Sequence, residues 1–89
     1  GRIKMIRKTI VVKNDQGDAS RLASRLVQRA GKFTSFLWIE EGAKRVNAKS
    51  IMGVLSMHLV KGSRFDLICT GDDEEKAAQV LEEFFETGE

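Results

Sequence analysis

Val46-Asn47-Ala48-Lys49-Ser50-Ile51-Met52-Gly53-Val54 is the segment on which the fold reading turns. Val46 closes a short strand. Ser50 opens the run Ser50 to Met57, which is too short and too glycine-interrupted for a long helix but suits one or two turns capped by the serine hydroxyl. Immediately upstream, residues 33–40 are aromatic and β-branched. Glu41-Gly42-Ala43-Lys44 then sets glycine where a type II′ hairpin turn needs positive φ. The second and third strands therefore form a hairpin. Downstream, Gly62 turns the chain, and residues 64–70 read as a fourth strand with Phe65, Leu67 and Cys69 on one face. Gly71-Asp72-Asp73-Glu74-Glu75 supplies a cap and acids for the positive end of a last helix, whose buried stripe is Ala77, Val80, Leu81 and Phe84.

Toward the beginning of the chain, residues 5–12 alternate, with Ile6, Ile10 and Val12 opposite Arg7, Thr9 and Val11, and read as the first strand. Asn14-Asp15-Gln16-Gly17-Asp18 has turn chemistry. Leu22, Leu26, Val27 and Ala30 then recur at helical spacing, which predicts a helix over 20–30 with Asp18 or Ser20 as its N-cap and Gly31 at its end. The order is βαββαβα, an α+β chain without repeats or an internal linker. Residues 1–4 read as a frayed leader or remnant and residues 5–89 as one domain.

With 89 residues, 42% hydrophobic and no proline, the chain can build a single modest core and no deep catalytic cavity, so a surface site is expected. Cys69 is the only cysteine and lies in an apolar run, which leaves no internal disulfide and suits a reducing cytoplasm. The only histidine, His58, has no companions at ligand spacing, so no metal site is expected; its place after the short helix reads as surface. No run approaches the roughly 20 apolar residues of a membrane span. Charge is divided. Residues 1–35 carry nine Lys or Arg against Asp15 and Asp18, and residues 72–89 carry eight acids against Lys76. Such a division can steer a partner, but it is also the ordinary dress of solvated helices.

The segment from Val46 to Val54 closely resembles the regulatory-serine segment of HPr, the histidine-containing phosphocarrier of the bacterial sugar phosphotransferase system. Weaker collinear matches run from Met5 to about Glu86 and include Val27-Gln28, Lys32-Phe33, Gly62 and Gly71. The resemblance implies an open-faced β-sandwich, a four-stranded antiparallel sheet in order 1-4-2-3 with three helices on one face. In such proteins the segment leading into the first helix reads Gly-Ile-His-Ala-Arg-Pro, and the histidine takes phosphate from enzyme I charged by phosphoenolpyruvate. Here it reads Gly17-Asp18-Ala19-Ser20-Arg21-Leu22. Ala19 stands where the histidine belongs, and a methyl has no lone pair with which to accept a phosphoryl group. The proline is also missing, and Asp18 adds negative charge where a phosphoryl donor would bring more. Asp18 or Ser20 as substitute acceptor is the weaker reading, because each is also a natural helix cap.

Ser50 carries two compatible readings. As structure it caps a helix, worth about 1 kcal/mol. As function it resembles the serine modified by HPr kinase/phosphorylase in HPr and in its Crh-like, catabolite-repression relatives. The resemblance places a repressor-binding face at Ser50, Arg21, Ile51, Met52 and Leu55, with a LacI-type transcription regulator as the partner. Core packing is the competing reading for Ile51 and Met52, and plain solubility for Arg21, which shares its side with Arg25 and Arg29.

The family pattern does not account for a second surface. If Leu37 and Ile39 face the helices, Phe36 and Trp38 fall on the open side of the sheet, where the same counting places Val11 and Ile68. An exposed apolar patch with two aromatics there would mark self-association, as a homodimer, or a private partner. The preferred reading is a cytoplasmic, cofactor-free, non-catalytic regulatory module phosphorylated on Ser50. Two others stand against it. One is a phosphocarrier with an unconventional acceptor; the other is nucleic-acid binding by Arg21, Arg25, Arg29 and Lys32, which no accompanying motif supports.

Overall fold

A computed structural model describes residues 5–89, so the reading of residues 1–4 as a leader lies outside the described residues. The elements are β1 (Ile6–Val11), α1 (Ala19–Ala30), β2 (Phe36–Glu41), β3 (Lys44–Asn47), α2 (Ile51–Leu55), β4 (Arg64–Thr70) and α3 (Glu74–Thr87). One antiparallel sheet runs in the order β1-β4-β2-β3. β4 lies between β1 and β2 and sets the register of both, with Cys69 opposite Ile6 on one side and Leu37 on the other. Gly42, at φ 60, makes the two-residue turn that lets Glu41 face Lys44.

Period-two alternation sorts each strand. Ile10, Leu37, Ile39, Phe65, Leu67 and Cys69 belong to one cluster with Leu22, Leu26, Val54, Leu81, Phe84 and Phe85, so all three helices cover the same side of the sheet. Ile68, also buried, lies outside that cluster, on the other side. Within the core, Phe85 meets Phe65 and Phe84 edge to face, with centroids 4.9 and 5.2 Å apart.

β2 begins three residues later than the alternation of residues 33–40 suggests. The reason is a carboxylate far along the chain. Asp73 takes backbone N–H bonds from Thr34 at 2.9 Å and Ser35 at 3.0 Å, and a third bond from the Ser35 hydroxyl. Asp73 stands at the N-cap position of α3 but makes no side-chain cap there, and the Glu74 carboxylate instead accepts from Gly71 N–H at 2.9 Å. The strands are brought together here so closely that a Cβ on Gly71, at φ 149, would lie 2.7 Å from the Ser35 Cα. These bonds hold the Asp73 carboxyl down to about 2.

Candidate functional site

At the start of α1, Gly17 turns at φ 88 and donates to the Asp15 carboxylate at 3.0 Å. Asp18 is the N-cap. Its Oδ1 accepts from Arg21 N–H at 2.9 Å, which settles the choice between Asp18 and Ser20. Ala19 is the first residue of the helix, half-buried, and presents a methyl. Arg21 is exposed on an open depression shared with Gly17, Ser20 and Ser24. Asp18 and Arg25 line it as well, so this surface has two hydroxyls, one carboxylate and two guanidinium groups, but no imidazole.

Arg25 and Arg29 do not share the solvated role expected for them alongside Arg21. Arg25 donates to the side-chain oxygen of Gln16 and, at 2.7 Å, to the Gly88 carbonyl, while Arg29 reaches the Glu89 carbonyl at 3.3 Å. Both guanidinium groups lie over the Phe84 ring, at 5.7 and 4.7 Å. Burial and the neighbouring Arg25 lower the pKa of Arg29. The Gln16 amide, itself buried, donates to the Phe84 carbonyl at 3.1 Å, so the turn before α1 is clasped to the last turn of α3. Two of the four cations in the nucleic-acid reading are thereby engaged within the chain, which weakens that reading.

At the start of α2, Asn47 builds the turn. Its side chain accepts from Lys49 N–H at 2.8 Å, and its carbonyl accepts from Ser50 N–H at 3.0 Å. Ala48 is fully buried and donates its N–H to the Leu37 carbonyl at 2.8 Å. Ser50 then caps α2, its Oγ accepting from Gly53 N–H at 3.2 Å. Of the apolar residues of α2, Ile51 is 41% exposed and Met52 74%, Leu55 is half-buried, and Val54 is the one fully buried in the core. Core packing is therefore not what Ile51 and Met52 do. The pattern around Lys49 assigns it no role, yet its ammonium donates to the Phe33 carbonyl at 2.5 Å and ties this turn to the segment that follows α1. Nothing local in the sequence signals that bond.

On the open face, the counting from Leu37 and Ile39 holds, but the patch differs from its expectation in two ways. Ile68 faces that side at 1% exposure, because its cross-strand partners Arg7 and Trp38 flank it. Val11, 37% exposed, pairs with Arg64 at the far end of the sheet from Phe36, which pairs with Thr70. Between them runs a charged row. Arg7 donates to Asp66 at 2.7 Å and Glu40 at 3.0 Å, Arg45 to Glu40 at 2.9 Å, and the Thr9 hydroxyl to Asp66 at 3.1 Å. The guanidinium bonds lower the pKa of both carboxyls and raise that of Arg7. What remains apolar and exposed is the pair Phe36, at 65%, and half-buried Trp38, whose rings stack at 6.5 Å and 10°.

His58 stands exposed after α2, at φ 51. Cys69 is fully buried, and burial pushes its thiol up to about 11, which removes it as a nucleophile. Among the described residues no group of three His, Cys, Asp or Glu could hold a metal ion, and no helix is long and apolar enough to cross a membrane.

The chain is thus an open-faced sandwich whose first helix follows a glycine turn and whose short second helix is capped by serine. The family model described as "PTS HPr component phosphorylation site" matches residues 6–87. This chain belongs to the HPr family. It is 44% identical to the HPr-like protein Crh of Halalkalibacterium halodurans over 82 residues, 92% of this chain and 98% of that protein. It is 40% identical to the phosphocarrier protein HPr of Treponema pallidum, over 92% of this chain and 93% of that one. Among solved structures, HPr of Bacillus anthracis has a TM-score of 0.83 at 36% identity, covering 90% of this chain and 95% of that one. Crh of Bacillus subtilis, described as a domain-swapped, intertwined dimer, scores 0.71 at 36% identity, with 90% and 92% covered. An HPr dimer from Thermoanaerobacter tengcongensis scores 0.72 at 43% identity, with 89% and 91% covered.

Proposed function

We propose that this chain is a non-catalytic, cytoplasmic regulatory protein, phosphorylated on Ser50 by HPr kinase/phosphorylase and read by a LacI-type regulator or another protein. The partner would meet Ser50 together with Arg21, Ile51, Met52 and Leu55. The observation that carries this reading is a pairing: a methyl at residue 19, where the family's acceptor nitrogen belongs, and a hydroxyl at residue 50 beside two exposed apolar side chains. A phosphate on Ser50 adds about −1.5 to −2 charges next to a dry surface, which changes what that surface selects without requiring the core to move. Cys69 is buried, so it does not compete as acceptor. We further infer a homodimer, supported by the Crh and HPr relatives described as dimers.

Intact mass after incubation with ATP and HPr kinase/phosphorylase, and separately with phosphoenolpyruvate and enzyme I, tests the reading. One added phosphate is expected with the kinase alone, and none in Ser50→Ala. Phosphate from enzyme I would restore the carrier reading, and no phosphate from either would leave Ser50 a cap only.

A further inference from the structure

We propose that Gly53 is a positioning residue for phosphoryl transfer to Ser50: its backbone N–H holds the Ser50 Oγ in one rotamer, and its missing side chain leaves the space in which that rotamer stands. The proposal deepens the reading of Ser50 as acceptor, on which it rests, and names what prepares the hydroxyl.

Gly53 is the middle residue of α2, where glycine is a poorer helix former than alanine. Its backbone does not require glycine either, since it is not among the residues at positive φ. Space does. A Cβ at residue 53 would lie 3.2 Å from the Val46 Cβ, 3.4 Å from the Ser50 Oγ and 3.5 Å from the Ser50 Cβ. At 3.2 Å something must give by a few tenths of an ångström. Val46 is held in the β2–β3 pairing opposite Ile39, so residue 53 is what shifts, and its N–H shifts with it. The Ser50 Oγ, already in contact with the added methyl, has no slack to follow and turns away about χ1.

Ser50 is otherwise fixed. Its N–H donates to the Asn47 carbonyl at 3.0 Å, and its own carbonyl accepts from Val54 N–H at 2.9 Å. Just before it, Lys49 N–H donates to the Asn47 side chain and Ala48 N–H to the Leu37 carbonyl, both at 2.8 Å. χ1 is the torsion left to set, and the 3.2 Å bond from Gly53 N–H sets it. That bond uses one of the two lone pairs of the hydroxyl oxygen. The second remains for the γ-phosphorus of ATP. The Oγ–P bond forms as the bond from that phosphorus to the β–γ bridging oxygen breaks, the hydroxyl proton passes to a base of the kinase, and ADP leaves. Such an in-line transfer depends on where the attacking oxygen stands, and a displacement of about 1 Å can cost on the order of 100-fold. The side chains of Ile51 and Met52, by which a partner would dock, stand in solvent and do not depend on the space beside Gly53.

Steady-state phosphorylation of the wild type and Gly53→Ala by HPr kinase/phosphorylase with ATP tests it, with far-UV circular dichroism and the urea midpoint as checks on folding. Gly53→Ala should lower kcat on the order of tenfold or more and leave KM unchanged, because what is lost matters only in the transfer step. Equal kcat in the two proteins overturns the proposal while Ser50 stands as acceptor. A loss carried by KM also overturns it, since Gly53 would then shape the docking surface and not the hydroxyl. A wild type that takes no phosphate overturns the acceptor reading and this proposal together. Three-bond couplings across χ1 of Ser50 in the unmodified wild type test the held hydroxyl without any substitution. One rotamer is expected, and averaging among rotamers overturns the proposal even where Gly53→Ala does not fold.

Discussion

The starts of α1 and α2 use one local device for different ends. In both, a short polar side chain accepts the backbone N–H three residues on, Asp18 from Arg21 at 2.9 Å and Ser50 from Gly53 at 3.2 Å. At α1 the cap is a carboxylate and the next residue a methyl, so the turn is stabilised but lacks the imidazole nitrogen that would accept a phosphoryl group. At α2 the cap is a hydroxyl, which can be esterified, and the residues after it project apolar side chains into solvent. Equal capping geometry therefore says nothing about equal function, and the difference lies in which atom does the capping and what stands beside it.

The largest expected change comes from putting an imidazole back. Ala19→His should take phosphate from enzyme I where the wild type takes none, with the label mapped to residue 19 by peptide mass. Continued silence would place the block on Asp18 and the absent proline as well. Next in size is removal of each cap. Asp18→Ala should cost about 1–2 kcal/mol and Ser50→Ala about 1 kcal/mol or less, read from urea midpoints at neutral pH. The order follows from what each helix anchors: α1 buries Leu22, Ala23, Leu26 and Ala30, and α2 only Val54. Equal losses would mean that the α2 turn contributes more than its burial suggests.

The smallest effect concerns a third helix start. Asp73 is held near 2 against an ordinary 3.8, chiefly by the Ser35 hydroxyl and the Thr34 N–H. A carboxyl with a depressed folded pKa contributes stability that is fully present above the ordinary value and is lost as pH falls toward the folded one. The urea midpoint should therefore decline between about pH 4 and pH 2, and Asp73→Asn should flatten that part of the decline. An unchanged slope in the variant would assign the acid sensitivity to other carboxyls.

Where local pattern decided the structure, the sequence was a good guide. β4 occupies residues 64–70 as its alternation between Gly62 and Gly71 suggested, and Ser50 caps α2. Local pattern failed where a distant side chain intervened. Thr34 and Ser35 looked like strand because nothing near them discloses that Asp73 will take their N–H groups. Arg25 and Arg29 looked like solubility charges because Phe84 is brought under them only by α3 packing on α1. On the open face, period two placed Ile68 on the correct side, but its burial depends on the width of Trp38 and Arg7 across the strands, and the distance of Val11 from Phe36 depends on register. The candidate residues at Ser50 were legible from their own segment, whereas the Lys49 bond to Phe33 was not.

Gly71 and Ala19 differ in how freely each can be replaced. A side chain at residue 71 would collide with the Ser35 backbone, so change there damages the architecture. Residue 19 lies at the rim of a helix, outside the hydrophobic cluster. A lineage can exchange its reactive group at that rim and keep every packed layer intact, which makes the chemistry of this scaffold far easier to discard than its shape.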